Sequence, residues 1–223
     1  FRWRLAIIIA FFAVASLCSW ALVAHKLDVP LRALRDIVGD DVAFLVCGPV
    51  SLVAFWLRAA GEARVGSAVY GQSASTRVVT RGPFRLMRHP LYAGTWLFFV
   101  ATFAPYVPPA LLAALAIAFA LCLRSIAIFE ETELAATLGD AWTKYAAAVP
   151  RFLGVPGRVD DDGVKPDARA WALATLCNLA LLSFGLYRIL VGADLKFRGL
   201  ASLNLLCIAL WIVAVVVRRA IRR

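Results

Sequence analysis

The sequence is poor in charge and has no cysteine outside its apolar runs. Charged residues make up 17% of the 223 residues, against roughly 25% in an average soluble domain. The five cysteines all lie inside apolar stretches: Cys18, Cys47, Cys122, Cys177 and Cys207. In that setting cysteine behaves as a small hydrophobe, so no disulfide framework is indicated. The acidic run 160–163 lacks the alternating spacing of a calcium loop, and we predict no metal site.

What the chain has instead is apolar sequence. Apolar residues make up 62% of it and its mean hydropathy is +0.80, which is typical of an integral membrane protein. Spans of about 20 residues cross a bilayer as helices. We therefore predict an all-α bundle of about six transmembrane helices, with a cytoplasmic cap that binds a cofactor. The predicted spans are 4–24, 42–60, 91–106, 108–129, 170–190 and 199–217.

The distribution of basic residues predicts the orientation of this bundle. With both termini inside, 18 of the 24 Lys and Arg residues lie on the cytoplasmic side and 6 lie outside, as the positive-inside rule requires. We expect a bacterial inner membrane, or another membrane with a cytoplasmic face, and an active site facing the cytoplasm. The net charge of +10 is better explained by contact with anionic lipid than by nucleic acid. We expect membrane lipids as partners and no nucleic acid.

The polar segments divide the predicted bundle into four parts. We interpret 1–60 as an N-terminal hairpin whose first span is too long for a secretory signal. Residues 61–153 form the predicted catalytic core, 154–169 are a linker rich in Gly, Pro and Asp, and 170–223 are a second hairpin. Within the core, helix 108–129 is expected to continue out of the membrane and break near Gly139. A short amphipathic helix should then follow and end before Pro150.

Polar groups concentrate where the third predicted span begins. Pro90 suits the first turn of a helix, so Arg88 and His89 directly precede that turn. The free N–H groups and positive dipole end of the helix favour an anionic ligand there. Tyr92 would offer an aromatic surface on this helix, and Gly94 would allow close approach of a backbone or a ligand. Interfacial aromatic and basic residues also serve as simple membrane anchors, and this alternative stays open.

Carboxylates gather where the fourth predicted span ends. Glu130, Glu131 and Glu133 lie within a turn of one another, and Arg124 precedes Glu131 by two turns on the same face. Charges this close to hydrocarbon need a partner or a cavity, although Arg124 could reach the interface alone. Acidic and basic groups on two adjacent helices form a site suited to a zwitterion. An amino-acid-like ligand would satisfy both sets of charges.

Two sequence blocks resemble a known family. "VTRGPFRLMRHPLYAG" (79–94) and "EETELAATLGDAWTKYAAAVPRFL" (130–153) resemble the isoprenylcysteine carboxyl methyltransferase and phospholipid methyltransferase group of integral membrane enzymes. The positions that match are Gly82, Pro83, Phe84, Arg88, His89, Pro90, Tyr92, Gly94, Glu130, Glu131, Leu134, Gly139, Tyr145, Val149, Pro150 and Arg151. The linker and the two additional C-terminal spans depart from the family, whose members commonly end soon after the second block.

The resemblance implies S-adenosylmethionine as the cofactor and a lipophilic acceptor that enters from the bilayer. It assigns catalytic roles to Arg88, Glu131 and Arg151. The cofactor-binding residues that it implies are His89, Leu91, Tyr92, Gly94, Glu130, Glu131, Trp142, Tyr145 and Arg151. Among these, Leu91, Trp142 and Tyr145 would hold the adenine.

Two other functional hypotheses remain open at this stage. Membrane sterol and steroid reductases have a similar helical hairpin and motif but take a hydride from NADPH, and a non-catalytic scaffold could keep the same fold. The short second block and its E-E-x-x-L spacing favour the methyltransferase. The acceptor is undetermined among an isoprenylcysteine-like carboxylate, a lipid amine and a thiol. The oligomeric state and the role of the C-terminal helices are also undetermined.

Overall fold

The computed structural model is helical throughout the residues that it describes, with no strand among them. The described residues are 4–24, 37, 39–65, 77–153, 155–159, 166, 168–179 and 181–182. Six α-helices are assigned: α1 (Arg4–Ala24), α2 (Asp40–Val65), α3 (Pro90–Phe103), α4 (Pro109–Leu138), α5 (Asp140–Ala148) and α6 (Ala168–Cys177). A short 3₁₀ helix, Gly82–Arg85, precedes α3. The predicted all-α class is confirmed.

The number of spans is confirmed only in part. Two helical stretches are long and apolar enough to cross a membrane, Leu45–Val65 in α2 and Pro109–Leu138. Arg4–Ser19 and Pro90–Phe103 are apolar but shorter. The predicted span 199–217 lies outside the described residues. So do residues 180 and 183–190 of the predicted span 170–190. The membrane character of the chain is supported, whereas six spans and a cytoplasmic cap stay predictions.

Helix α4 continues beyond the predicted span 108–129. Its 30 residues rise about 45 Å at 1.5 Å per residue, well beyond the ~30 Å of a hydrocarbon core. The helix ends at Gly139, whose φ of +53° belongs to the left-handed region that glycine adopts without a Cβ clash. Helix α5 then follows and ends before Pro150. The predicted break and restart are both confirmed.

Helices α3 and α4 form a tight hairpin. The backbone N–H groups of Tyr106 and Val107 both donate to the Phe103 carbonyl, and Pro109 opens α4. Along the hairpin the Trp96 indole N–H donates to the Ala116 carbonyl at 2.8 Å. The start of α1, the start of α3 and the final turns of α4 lie at one side of the bundle. The Arg4–Glu130 ion pair, at 2.8 Å, joins the first of these ends to the last.

An aromatic cluster forms the centre of the α1, α3 and α4 packing. Phe11 of α1 stacks on Phe119 of α4, with ring centroids 4.8 Å apart. Phe12 contacts Phe99 edge-on at 5.3 Å. Such aromatic pairs contribute roughly 0.5–1.5 kcal/mol each beyond the area that they bury. This cluster fixes the depth of α1 relative to the hairpin.

Helices α2 and α3 approach closely at Gly94. A Cβ at this position would lie 2.8 Å from the Ala54 carbonyl oxygen and 2.7 Å from Cγ of Arg58. The first neighbour is backbone of α2, which cannot move aside without shifting the helix. Small residues at such crossings let membrane helices approach, since packing rather than the hydrophobic effect drives their association.

The Gly94 crossing predicts that Gly94→Ala destabilises the protein. We expect the free energy of unfolding in mixed micelles to fall by about 1–3 kcal/mol, because the added methyl overpacks the interface. Ala114→Val, on the exposed face of α4, adds bulk where no helix packs and serves as the control. Denaturant titration followed by circular dichroism measures both. Equal stability of Gly94→Ala and the native chain would contradict the packing described.

Candidate active site

The candidate site lies where α3 begins and α4 leaves the apolar layer. His89 is the N-cap residue of α3 and Pro90 occupies its first position, as predicted. The 3₁₀ helix Gly82–Arg85 leads into this turn. Both sequence blocks of the family resemblance therefore meet at one end of the bundle.

Glu131 is the centre of the site. Its carboxylate accepts two hydrogen bonds from Arg151, Nε to Oε1 at 2.9 Å and Nη2 to Oε2 at 2.7 Å. Arg88 Nη1 lies 3.0 Å from Oε2, and His89 Nε2 lies 2.9 Å from Oε1. A forked guanidinium contact of this kind is among the strongest side-chain hydrogen bonds. The buried carboxylate is thus surrounded by donors from three residues that precede α3 or follow α5.

Glu130 points in a different direction and has different partners. Consecutive residues of an α-helix are about 100° apart around its axis, so the two glutamates contact separate sets of side chains. Oε1 of Glu130 accepts from Arg4 Nη1 at 2.8 Å and from the Tyr92 hydroxyl. Oε2 lies 3.9 Å from His89 Nδ1, which is too far for a direct hydrogen bond. We call Glu130 and Glu131 the acidic pair.

The segment after α5 contacts the start of α3 through backbone hydrogen bonds. The N–H groups of Arg88 and His89 donate to the carbonyls of Pro150 and Arg151, at 2.9 and 3.2 Å. The Phe152 ring lies 5.8 Å from the His89 ring, centroid to centroid. This docking is what brings the Arg151 guanidinium to Glu131.

Helix α5 is fastened to the turn before α3. The buried Tyr145 hydroxyl donates to the Phe84 carbonyl at 2.8 Å, and burial raises the pKa of the Tyr145 phenol. The phenol therefore stays neutral and remains a donor. Trp142 and Tyr145 pack together, with centroids 5.5 Å apart, in an apolar cluster with Val149.

The two arginines of the site differ in how many of their N–H donors have a partner. The hydrogen bonds to Glu131 raise the pKa of the Arg151 guanidinium, which is therefore charged at any pH at which the protein is folded. Arg88 uses Nη1 for Glu131, but its buried Nε has no hydrogen-bond partner among the described residues. An unpaired buried donor costs about 1–3 kcal/mol. Arg88 therefore has a donor that no described residue uses.

The structure brings most of the predicted site residues together but places others elsewhere. The residues that meet around the acidic pair are Arg88, His89, Tyr92, Glu130, Glu131 and Arg151. Leu91 and Gly94 lie on the face of α3 that packs on α2, at Gly61 and Ala54 respectively. Trp142 and Tyr145 lie in the α5 cluster. Arg124 and Glu133 are exposed.

Two residues of the site were not predicted from the sequence. Arg4 stands 126 positions before its partner Glu130, and nothing in a single apolar run with one terminal arginine indicates that pairing. Phe152 follows Arg151 directly, and a phenylalanine in a short apolar stretch gives no sign of its partner. Its contact with His89 depends on the docking of residues 150–152.

Docking of the segment after α5 predicts how the site responds to loss of the Glu131 charge. Glu131→Gln leaves the Arg88 and Arg151 guanidinium groups facing each other without an anion. We expect tryptic cleavage after Arg151 in detergent to accelerate roughly 10- to 100-fold, since charge-assisted hydrogen bonds worth about 1.5–3 kcal/mol are lost. Mass spectrometry of timed digests measures the rate. Glu133→Gln is the matched control, and equal cleavage rates in both variants would show that Glu131 does not hold the segment.

Comparison with known proteins gives one match, to a family model. No curated protein and no solved structure matches the chain significantly. A family model described as phospholipid methyltransferase matches residues 42–141, a range that contains most of α2, all of α3 and α4, and the acidic pair, but ends before Trp142. The family implies methyltransferase activity in a membrane. Residues 42–141 are thus similar to phospholipid methyltransferases, which belong to the group of membrane methyltransferases that the two motif blocks resemble.

Proposed function

We propose that the protein is an integral membrane methyltransferase that transfers a methyl group from S-adenosylmethionine to a lipophilic acceptor. One observation carries the proposal: the two motif blocks, about 40 residues apart in sequence, converge on the acidic pair. The family match supports the transferase class. The cofactor and the acceptor class go beyond that match.

The donor set suits the amino-acid part of this cofactor. That part carries an ammonium and a carboxylate, which require an acceptor of negative charge and a cationic donor. Oε2 of Glu130 has no hydrogen-bond donor within the described residues, and the unpartnered buried N–H of Arg88 offers the cation. We assign the ammonium to Glu130 and the carboxylate to Arg88.

Glu131 has a different role in this proposal. A carboxylate accepts about four hydrogen bonds, and Arg88, His89 and Arg151 already supply that number. Glu131 therefore positions the three donors rather than binding the cofactor directly. His89 presents an N–H to Glu131 through Nε2, while Nδ1 lies on the side of Glu130, 3.9 Å from its Oε2.

The bound cofactor supplies a sulfonium whose methyl group moves by in-line displacement. The protein's part is to orient the two reactants and to exclude water. Tyr92 and Phe152 flank the His89 ring, with centroids 5.7 and 5.8 Å from it, and shield the polar side chains from the apolar layer. Few acid and base groups are needed, in keeping with the low charge content of the chain.

The membrane setting supports a lipophilic acceptor. The start of α3 and the final turns of α4 bound the site, so an acceptor held in the bilayer would reach it from the side while the polar cofactor arrives from the water phase. The basic residues counted on the same side support a cytoplasmic position. We further propose that the adenine lies against the α5 cluster of Trp142 and Tyr145, whereas Leu91 and Gly94 keep α3 close to α2 at this level.

The proposal predicts which cofactor stabilises the purified protein. At 100 times its dissociation constant a ligand adds about 2.7 kcal/mol to the folded state, so S-adenosylmethionine should raise the unfolding temperature in detergent and NADPH should not. Stabilisation by NADPH alone would select the reductase, and stabilisation by neither would favour a scaffold.

The same assay tests the residues of the site. His89→Ala and Tyr92→Phe should each weaken binding of S-adenosylmethionine by about 1–2 kcal/mol, since each removes a hydrogen bond to the acidic pair. Equilibrium binding of the radiolabelled cofactor measures the loss. Tyr106→Phe makes the same change at the opposite end of the hairpin and should leave affinity unaltered. If all three variants bind the cofactor with native affinity, His89 and Tyr92 do not contribute to cofactor binding and act only as membrane anchors.

A further inference from the structure

A second polar cluster lies within the bundle, away from the acidic pair. Arg58 and Glu62 stand one turn apart on α2, Thr95 is on α3, and Asn178 follows α6. Arg58 Nε donates to Asn178 Oδ1 at 2.9 Å, and Asn178 Nδ2 donates to Glu62 Oε2 at 2.8 Å. We call these four residues the Asn178 network.

Asn178 is held in one orientation. Its side chain is fully buried, and its amide also donates to the Ala174 carbonyl at 2.8 Å. The carbonyl oxygen faces a guanidinium and the amide nitrogen faces a carboxylate, so a flipped amide would lose both bonds. In apolar surroundings such a network is stabilising only when every member is satisfied. Asn178 completes it by bridging a cation and an anion.

Arg58 transmits this constraint to α3. Its Nη1 donates to the Leu91 carbonyl at 3.3 Å and to the Thr95 hydroxyl. The Thr95 hydroxyl in turn donates to the same carbonyl at 2.8 Å. These hydrogen bonds hold the first two turns of α3, the helix that has His89 as its N-cap residue and carries Tyr92.

The network crosses the boundary of the family match. Arg58, Glu62 and Thr95 lie within residues 42–141. Asn178 lies in residues 170–223, which we call the C-terminal addition. Leu181 of that addition packs on Ala54 of α2, so the addition has both a polar and an apolar attachment. The apolar attachment contacts α3 at Leu97 and Phe98, whereas the polar attachment reaches the start of α3 through Arg58.

We propose that Asn178 is a positioning residue of the cofactor site and that the C-terminal addition is thereby part of the catalytic unit. The amide fixes Arg58, Arg58 fixes the start of α3, and the start of α3 holds His89 and Tyr92 against the acidic pair. This inference rests on the proposed function for its binding readout. A second readout, amide exchange in α3, does not depend on it.

The test compares Asn178→Leu with Leu181→Ala. Asn178→Leu should raise the dissociation constant of S-adenosylmethionine about tenfold, the effect of a lost hydrogen bond to a charged group, and speed deuterium exchange over residues 86–97. Leu181→Ala removes apolar packing from the same segment and should lower thermal stability with native affinity. Equal affinity and equal exchange in the two variants would overturn the proposal. If the native protein binds no cofactor, the proposed function fails, and the exchange data alone decide whether Asn178 positions α3.

A double-mutant cycle separates positioning from general destabilisation. Thr95→Val removes the α3 end of the network with little change of volume and should also weaken binding. If Asn178 acts through Arg58 on α3, the double variant Asn178→Leu/Thr95→Val should bind about as well as the weaker single variant. Additive losses would show that Asn178 acts by another route and would overturn the assignment.

Discussion

The site depends on the Glu131 carboxylate. A buried carboxylate near the apolar layer is stable only when cations and hydrogen-bond donors replace its hydration, and here Arg88, His89 and Arg151 do so. These donors come from the turn before α3 and from the segment after α5. One charge therefore determines where two otherwise separate parts of the chain meet. The backbone bonds from Arg88 and His89 to residues 150 and 151 then fix the alignment of those parts.

The length of α4 makes this arrangement possible. The helix is longer than a hydrocarbon layer is thick, and its last third carries the acidic pair. Gly139 ends it with a left-handed turn, and α5 carries the chain back so that Arg151 reaches Glu131. Because the two glutamates are neighbours on a helix, they face different partners: Glu131 accepts from Arg88, His89 and Arg151, whereas Oε2 of Glu130 has no hydrogen-bond donor among the described residues.

The sequence predicts the parts of the fold that depend on local chemistry. Apolar runs placed the helices, Pro90 marked the start of α3, and Gly139 marked the end of α4. The grouping of Arg88, His89 and the acidic pair followed from two motif blocks whose spacing is specific. The predicted six spans go beyond what the described residues support, because hydropathy alone does not determine helix length or pairing.

The rest of the structure depends on contacts between residues far apart in sequence. Arg4 reaches Glu130 only because the aromatic cluster sets the depth of α1. Leu91 and Gly94 were assigned to the cofactor by their place in a motif, yet they lie on the face of α3 that packs on α2. That face could not be chosen from the sequence, since α3 is apolar all round. Asn178 gave no signal at all, because an isolated asparagine in an apolar segment has no partner until the helices pack.

The most direct test is photochemical cross-linking of radiolabelled S-adenosylmethionine to the protein in detergent, followed by mapping of the labelled peptides. If the acidic pair and its donors bind the cofactor, the label should fall within residues 84–96 or 130–153 and should be displaced by excess unlabelled cofactor. Absence of displaceable label, or label confined to α1, α2 or the C-terminal addition, would contradict the assignment of this site.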